Sequence, residues 1–151
     1  MEIVVAFDAT GREILRKIGS AEHVDLEPSE VRRLRHAVIT HNHPQSYDVS
    51  FSLADVRLAA FAGASEVRVV THGVTYSLRP PISGWSLDWA ERLLVPTYEQ
   101  GRRRATPAAV EQARRGEVTR EVAQATIIHQ AWVHVAAVLG LQYVLEEGDS
   151  R

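Results

Sequence analysis

The sequence predicts an α/β protein over residues 1–84, followed by a helical extension over residues 85–151. Three observations lead there. Short apolar, β-branched runs at 2–7, 37–40, 66–71 and 74–78 alternate with segments of helical spacing at 28–34 and 52–63. A cluster of turn residues at 79–84, Arg-Pro-Pro-Ile-Ser-Gly, closes that alternation. Everything beyond it reads as helix. At 151 residues the chain suits one domain with a substantial core, plus an appendage.

Residues 2–7 form an apolar strand that runs into the turn Asp8-Ala9-Thr10-Gly11. Residues 12–18 alternate charged and apolar side chains, as the returning strand of a hairpin does. Residues 19–27 read as loop, or as a short strand around Val24 and Leu26. Pro28, Ser29 and Glu30 open a short helix with Val31 and Leu34 on one face. Residues 37–40 make a strand, 45–51 a polar loop, and 52–63 a helix that ends at Gly63 as its C′ residue. Residues 66–71 and 74–78 form a hairpin about His72-Gly73. In the C-terminal part, a helix from Ser86 is interrupted near Pro96. A second runs from the pair Thr106-Pro107, as N-cap and N1, to about Glu147, broken or bent at Gly116.

Composition narrows the function classes. Hydrophobic residues make up 45% and charged residues 24%, as in ordinary globular proteins. The net charge of −2 provides no basic footprint for nucleic acid. There is no cysteine, so a zinc ion would have to be held by His, Asp or Glu. The N-terminus MEIVVAFD has no basic segment of the secretory kind, which makes a cytoplasmic location the expectation. Residues 126–145 carry no Asp, Glu, Lys or Arg and could just span a bilayer. His129, Gln130, His134 and Gln142 would be costly there, so a helix buried in the protein or in a dimer is expected instead. His129 and His134 are five apart and do not share a helical face, so they form no second metal site.

The chemistry concentrates in residues 40–55, THNHPQSYDVSFSLAD. His41 and His43 are two apart, which on a strand turns both rings to one side. Asn42 then points the other way. Pro44 ends the strand because it has no N–H for the ladder. Ser52 and Asp55 stand three apart at a helix start, where S-x-x-D is also a capping box. Two imidazoles and a carboxylate are a zinc ligand set that leaves a fourth position for water, the arrangement of a hydrolytic site. Asp48 is expected to be solvated and His72 to be a surface turn residue.

The string His41-Asn42-His43-Pro44 followed by Ser52-Leu53-Ala54-Asp55 resembles the JAB/MPN (JAMM) metallopeptidases, and the HNHP form is similar to bacterial and phage-associated JAB-like and RadC-type domains. The resemblance covers about residues 2–78. It implies a mixed sheet flanked by helices, similar to the cytidine deaminase architecture. It implies zinc on His41, His43 and Asp55, Ser52 as an oxyanion donor, and a glutamate general base. Glu2, ahead of the first strand, matches that glutamate; Glu13, Glu22, Glu27 and Glu30 are the other candidates. The expected activity is hydrolysis of peptide or isopeptide bonds, in peptides or ubiquitin-like proteins. The alternative is a catalytically degenerate domain that serves as a binding module, with the C-terminal helices forming a homodimer or partner surface. Nucleic acid and membrane are not expected partners.

Overall fold

The computed structural model describes residues 1–20, 24–44 and 48–148. Glu22 and residues 45–47 of the polar loop lie outside them. The chain is a mixed α/β protein built on one six-stranded sheet. Its strands are β1 (Ile3–Phe7), β2 (Glu13–Ile18), β3 (Val38–Asn42), β4 (Glu66–Val70), β5 (Val74–Arg79) and β6 (Gln142–Glu147), in the order β2-β1-β3-β4-β5-β6. The helices are α1 (Pro28–Arg33), α2 (Leu53–Ala62), α3 (Leu87–Trp89), α4 (Val95–Arg114) and α5 (Arg120–Leu139).

The β3–β4 pair is parallel and the other pairs are antiparallel. Parallel neighbours need a crossover, and α2 supplies it. The C-terminal end of β3 and the N-terminal end of α2 therefore meet at one edge of the sheet. That topology positions the site.

The strand residues Val4, Ala6, Leu15, Ile39, Val67, Val69, Tyr76 and Leu78 face a single apolar cluster. Val56, Ala59 and Ala60 of α2 enter it, as do Ala90, Leu94, Tyr98, Trp132 and Val135 from beyond residue 84. One core thus runs through both halves of the chain. Residues of the alternate register, such as Val5, Thr40, Arg68, Ser77 and Val144, share the other face of the sheet.

The expected strands and helices of the first half are present. Of the two readings around Val24 and Leu26, the loop holds and no strand forms. Ser52 is the N-cap of α2, in the capping box its spacing to Asp55 predicts, and Gly63 closes the helix in the left-handed region at φ 69°.

The second half departs more. The extension is not all helical, because residues 142–147 form β6 on the edge of β5. Gly140, at φ 74°, ends α5 and turns the chain back to the sheet. The uncharged stretch 126–145 is thereby divided between a helix and a strand. By length and composition α5 could cross a membrane, yet in this fold its Ala131, Trp132 and Val135 lie in the core.

Pro107 does not start a helix either; it sits inside α4. An interior proline costs about 3 kcal/mol. Here α4 packs along α5, where Ala109 joins Ala123 and Ile127 in a second apolar cluster. The Thr106 hydroxyl donates to the Arg102 carbonyl at 2.7 Å, one turn back. Near Pro96 the helix does not stop. Residues Ala90–Leu94 form a π-helical turn that runs directly into α4, and Pro96 follows it as the second residue of α4.

Gly101 packs directly against the α5 backbone. A Cβ there would lie 2.9 Å from the Ala131 Cα and 3.1 Å from the Ala131 carbonyl oxygen. Overpacking of this kind costs about 1–3 kcal/mol, against about 1 kcal/mol that alanine gains in helix propensity. The obstacle is backbone, so the steric term wins. Gly101→Ala is expected to lower Tm by about 2–8 °C in a thermal melt.

The other face of the sheet carries a buried carboxylate. Glu66 is 4% exposed. It accepts from Arg68 Nε at 2.6 Å and from Arg79 Nε at 3.1 Å. Burial pushes its pKa up, but the two guanidiniums together outweigh burial and hold it below the ordinary 4.5. A carboxylate whose folded pKa is depressed stabilises the fold fully above its unfolded value and loses that contribution as pH falls through the folded one. Below about pH 4.5 the wild-type Tm is therefore expected to fall more steeply than that of Glu66→Gln, with the two pH–Tm curves converging in acid.

Candidate metal centre

The β3–α2–β4 crossover brings three sequence-predicted ligands together. His41 is on β3, His43 lies just past its end, and Asp55 is in the first turn of α2. His41 Nε2 lies 3.2 Å from His43 Nε2 and 3.3 Å from Asp55 Oδ2. His43 Nε2 is 3.6 Å from the same oxygen. Donors about 2.0–2.1 Å from a tetrahedral ion are about 3.3 Å from one another. The observed triangle matches that spacing, and among the described residues it is the only such His/Asp/Glu group.

Local bonds aim two of the three ligands. His43 Nδ1 faces the Val49 carbonyl at 3.0 Å. That acceptor places the proton on Nδ1 and leaves the Nε2 lone pair for a metal. Asp55 Oδ2 accepts the Ser52 N–H at 2.7 Å, and Ser52 Oγ accepts the Asp55 N–H at 3.2 Å. The capping box and the ligand role thus coexist, because the cap fixes the carboxylate's direction. Accepting in the cap does not consume the Ser52 hydroxyl proton, which can still be donated.

The electrostatics suit a cation. Burial pushes the Asp55 pKa up, but the His41 and His43 imidazoles beside it more than reverse this and hold it well below the carboxylate range. Burial pulls His43 down, while the Asp55 bond and charge, with a smaller contribution from Glu2, leave it raised overall. A histidine pair leaning on one carboxylate is an electron-rich cluster.

Glu2 lines the same cavity as His41, His43, Ser52 and Asp55. Its backbone is tied into the sheet, since Glu2 N–H donates to Ser20 O and Gly19 N–H donates to Glu2 O, both at 2.9 Å. The other described candidates are elsewhere: Glu13 pairs with Arg16, Glu30 bonds Lys17 and the Glu27 N–H, and none of Glu13, Glu27 and Glu30 lines this cavity.

Asn42 points away from the ligands, as its place between them requires. Its Oδ1 accepts the Ile3 N–H at 2.6 Å, and its Nδ2 donates to Met1 O at 3.2 Å. It therefore brackets Glu2 from both sides. Asn42→Ala is expected to raise hydrogen exchange of the Ile3 amide about tenfold, the equivalent of one such bond.

Asp48, expected to be solvated, instead accepts from the Thr71 hydroxyl and from Gly73 N–H at 3.2 Å, which pins its loop to the β4–β5 turn. His72 is exposed and away from the cavity. His129 and His134 are not together: His129 Nδ1 faces Tyr143 Oη at 2.9 Å, and His134 Nε2 faces Gln100 Oε1 at 3.1 Å.

Sequence reasoning missed the C-terminal anchors of the ligand loop. Trp132 Nε1 donates to Phe51 O at 2.9 Å, and Tyr143 Oη donates to Ser50 Oγ at 2.8 Å. Burial keeps the Tyr143 phenol far above its usual pKa, so it remains a donor. These contacts hold Ser50 and Phe51, next to the Val49 carbonyl that orients His43. No motif or spacing announces bonds that span 81 and 93 positions.

The class these observations define is a mixed α/β protein with a His-His-Asp group able to hold a metal ion. No family model, curated protein or solved structure matches the chain.

Proposed function

We propose that the chain is a zinc-dependent hydrolase of peptide or isopeptide bonds. The observation that carries this is the His41–His43–Asp55 triangle with Glu2 lining the same cavity. The likeness of H-N-H-P and S-x-x-D to the JAB/MPN metallopeptidases supports the same reading.

His41 and His43, through Nε2, and Asp55, through Oδ2, would hold the ion. Zinc so held would lower the pKa of a bound water towards neutrality and polarise the scissile carbonyl. Glu2 would accept a proton from the attacking water and return it to the leaving amine. Ser52 would donate a hydrogen bond from its hydroxyl to the oxyanion, an interaction of about 2–4 kcal/mol when a donor is aimed this way.

The test is elemental analysis joined to a peptidase assay on the zinc-loaded chain. The expected result is one zinc per chain, lost in His41→Ala, with amide hydrolysis that depends on it. Stoichiometric zinc without hydrolysis would leave a metal-bound binding module. No zinc at all would end the reading.

A further inference from the structure

The cavity that holds the metal group extends well past it. Its volume is about 560 Å³, much more than one ion and one water require. Of the polar lining, His41, His43, Ser52, Asp55 and Glu2 belong to the proposed site and Ser50 is held by Tyr143, while Asp25 also lines the space. Much of the remaining lining is aliphatic, and among the described residues no lysine or arginine faces it.

The floor has a definite register relative to the metal group. Val4 pairs directly with His41 across β1 and β3. Ile39 precedes His41 by two residues on the same face of β3, and it pairs with Val67 on β4. Two residues along a strand span about 6.6 Å. That is the reach from a scissile carbonyl, across one Cα spacing of about 3.8 Å, into the side chain of the neighbouring residue. Val31 of α1 and Leu58 of α2 line the same space. Both are half-buried, and neither belongs to a core cluster. Their apolar surface serves the cavity rather than the core.

Resting on the hydrolase reading above, we infer that this aliphatic floor is the specificity pocket for an apolar side chain directly flanking the scissile amide. The substrate class is then an amide with a leucine-, valine- or phenylalanine-like residue on one side of the bond, not a Gly–Gly junction. An anionic flanking residue would lose its hydration here and find no basic partner among the described residues.

The test uses the zinc-loaded full chain and otherwise identical quenched peptides. Each of the two positions flanking the bond is varied in turn through Leu, Val, Phe, Gly, Asp and Lys. At one of them kcat/KM is expected to be about 10–200-fold higher for the apolar residues than for Gly, the range a hydrophobic pocket supplies. Leu58→Asp and Val31→Asp, on separate helices, are each expected to erase that preference with zinc stoichiometry unchanged. Calorimetric Kd values of uncleavable reduced-amide analogues are expected to follow the same order. Hydrolysis with equal kcat/KM across the panel, or faster cleavage beside Gly, overturns the pocket and leaves the hydrolase standing. Cleavage of none of the peptides by the fully zinc-loaded chain overturns both.

Discussion

Glu2→Gln is expected to lower amide hydrolysis by about two to four orders of magnitude, the usual contribution of a positioned general base, while zinc remains bound at one ion per chain. The separation of the two readouts carries the prediction. Glu2 is not in the ligand triangle, so its loss leaves three donors in place. It does line the cavity beside them, and its charge reaches His43. Glutamine keeps the shape and removes the basic oxygen. The backbone bonds of Glu2 to Ser20 and Gly19 do not involve its side chain, so the thermal melt is expected to be unchanged. The check is kcat on the zinc-loaded variant, with zinc measured by elemental analysis on the same sample. Retained activity would remove Glu2 from the chemistry.

Asp55→Asn is expected to weaken zinc binding by more than about 100-fold, beyond the 10–100-fold that loss of an outer hydrogen-bond partner causes. The substitution is chosen because Asp55 has two roles. As the acceptor for the Ser52 N–H at 2.7 Å it caps α2, and an asparagine carbonyl can still do that. As the one carboxylate among the described residues within 3.6 Å of both imidazoles, it supplies the charge that would offset a dication, and asparagine cannot. Far-UV circular dichroism is therefore expected to stay the same while the calorimetric zinc affinity collapses. A variant that binds zinc like the parent would show that the triangle is only a hydrogen-bonded His–Asp cluster.

The legible parts of this site are the local ones. His41, His43 and Pro44 declare a strand end by their spacing, and Ser52 with Asp55 declares a helix start. Each signal sits within one turn or one strand. Their meeting follows from a strand, a crossover helix and a second strand in close succession. Glu2 could be nominated from the sequence because it adjoins an apolar strand, but Asn42 as its bracket depends on β1 lying beside β3. The C-terminal half was misread for a physical reason. In Gln142–Glu147 the exposed residues include Val144 and Leu145, so the strand lacks the apolar–polar alternation that marks a half-buried one. The edge of β5 makes it a strand, and that edge is not a local property. Pro107 misled similarly, because contact with α5 outweighed an intrinsic preference to begin or break a helix there.

The tethers from Trp132 and Tyr143 to Phe51 and Ser50 have a consequence for synthesis. A chain leaves the ribosome from its N-terminus and folds in that order. His41, His43 and Asp55 emerge early, yet the loop that orients His43 gains its last fastening only after residue 143 is free of the exit tunnel. The fastened geometry of the His-His-Asp group is thus deferred until β6 has been made, so a nascent fragment that stops short of residue 143 would not carry the group in its final arrangement.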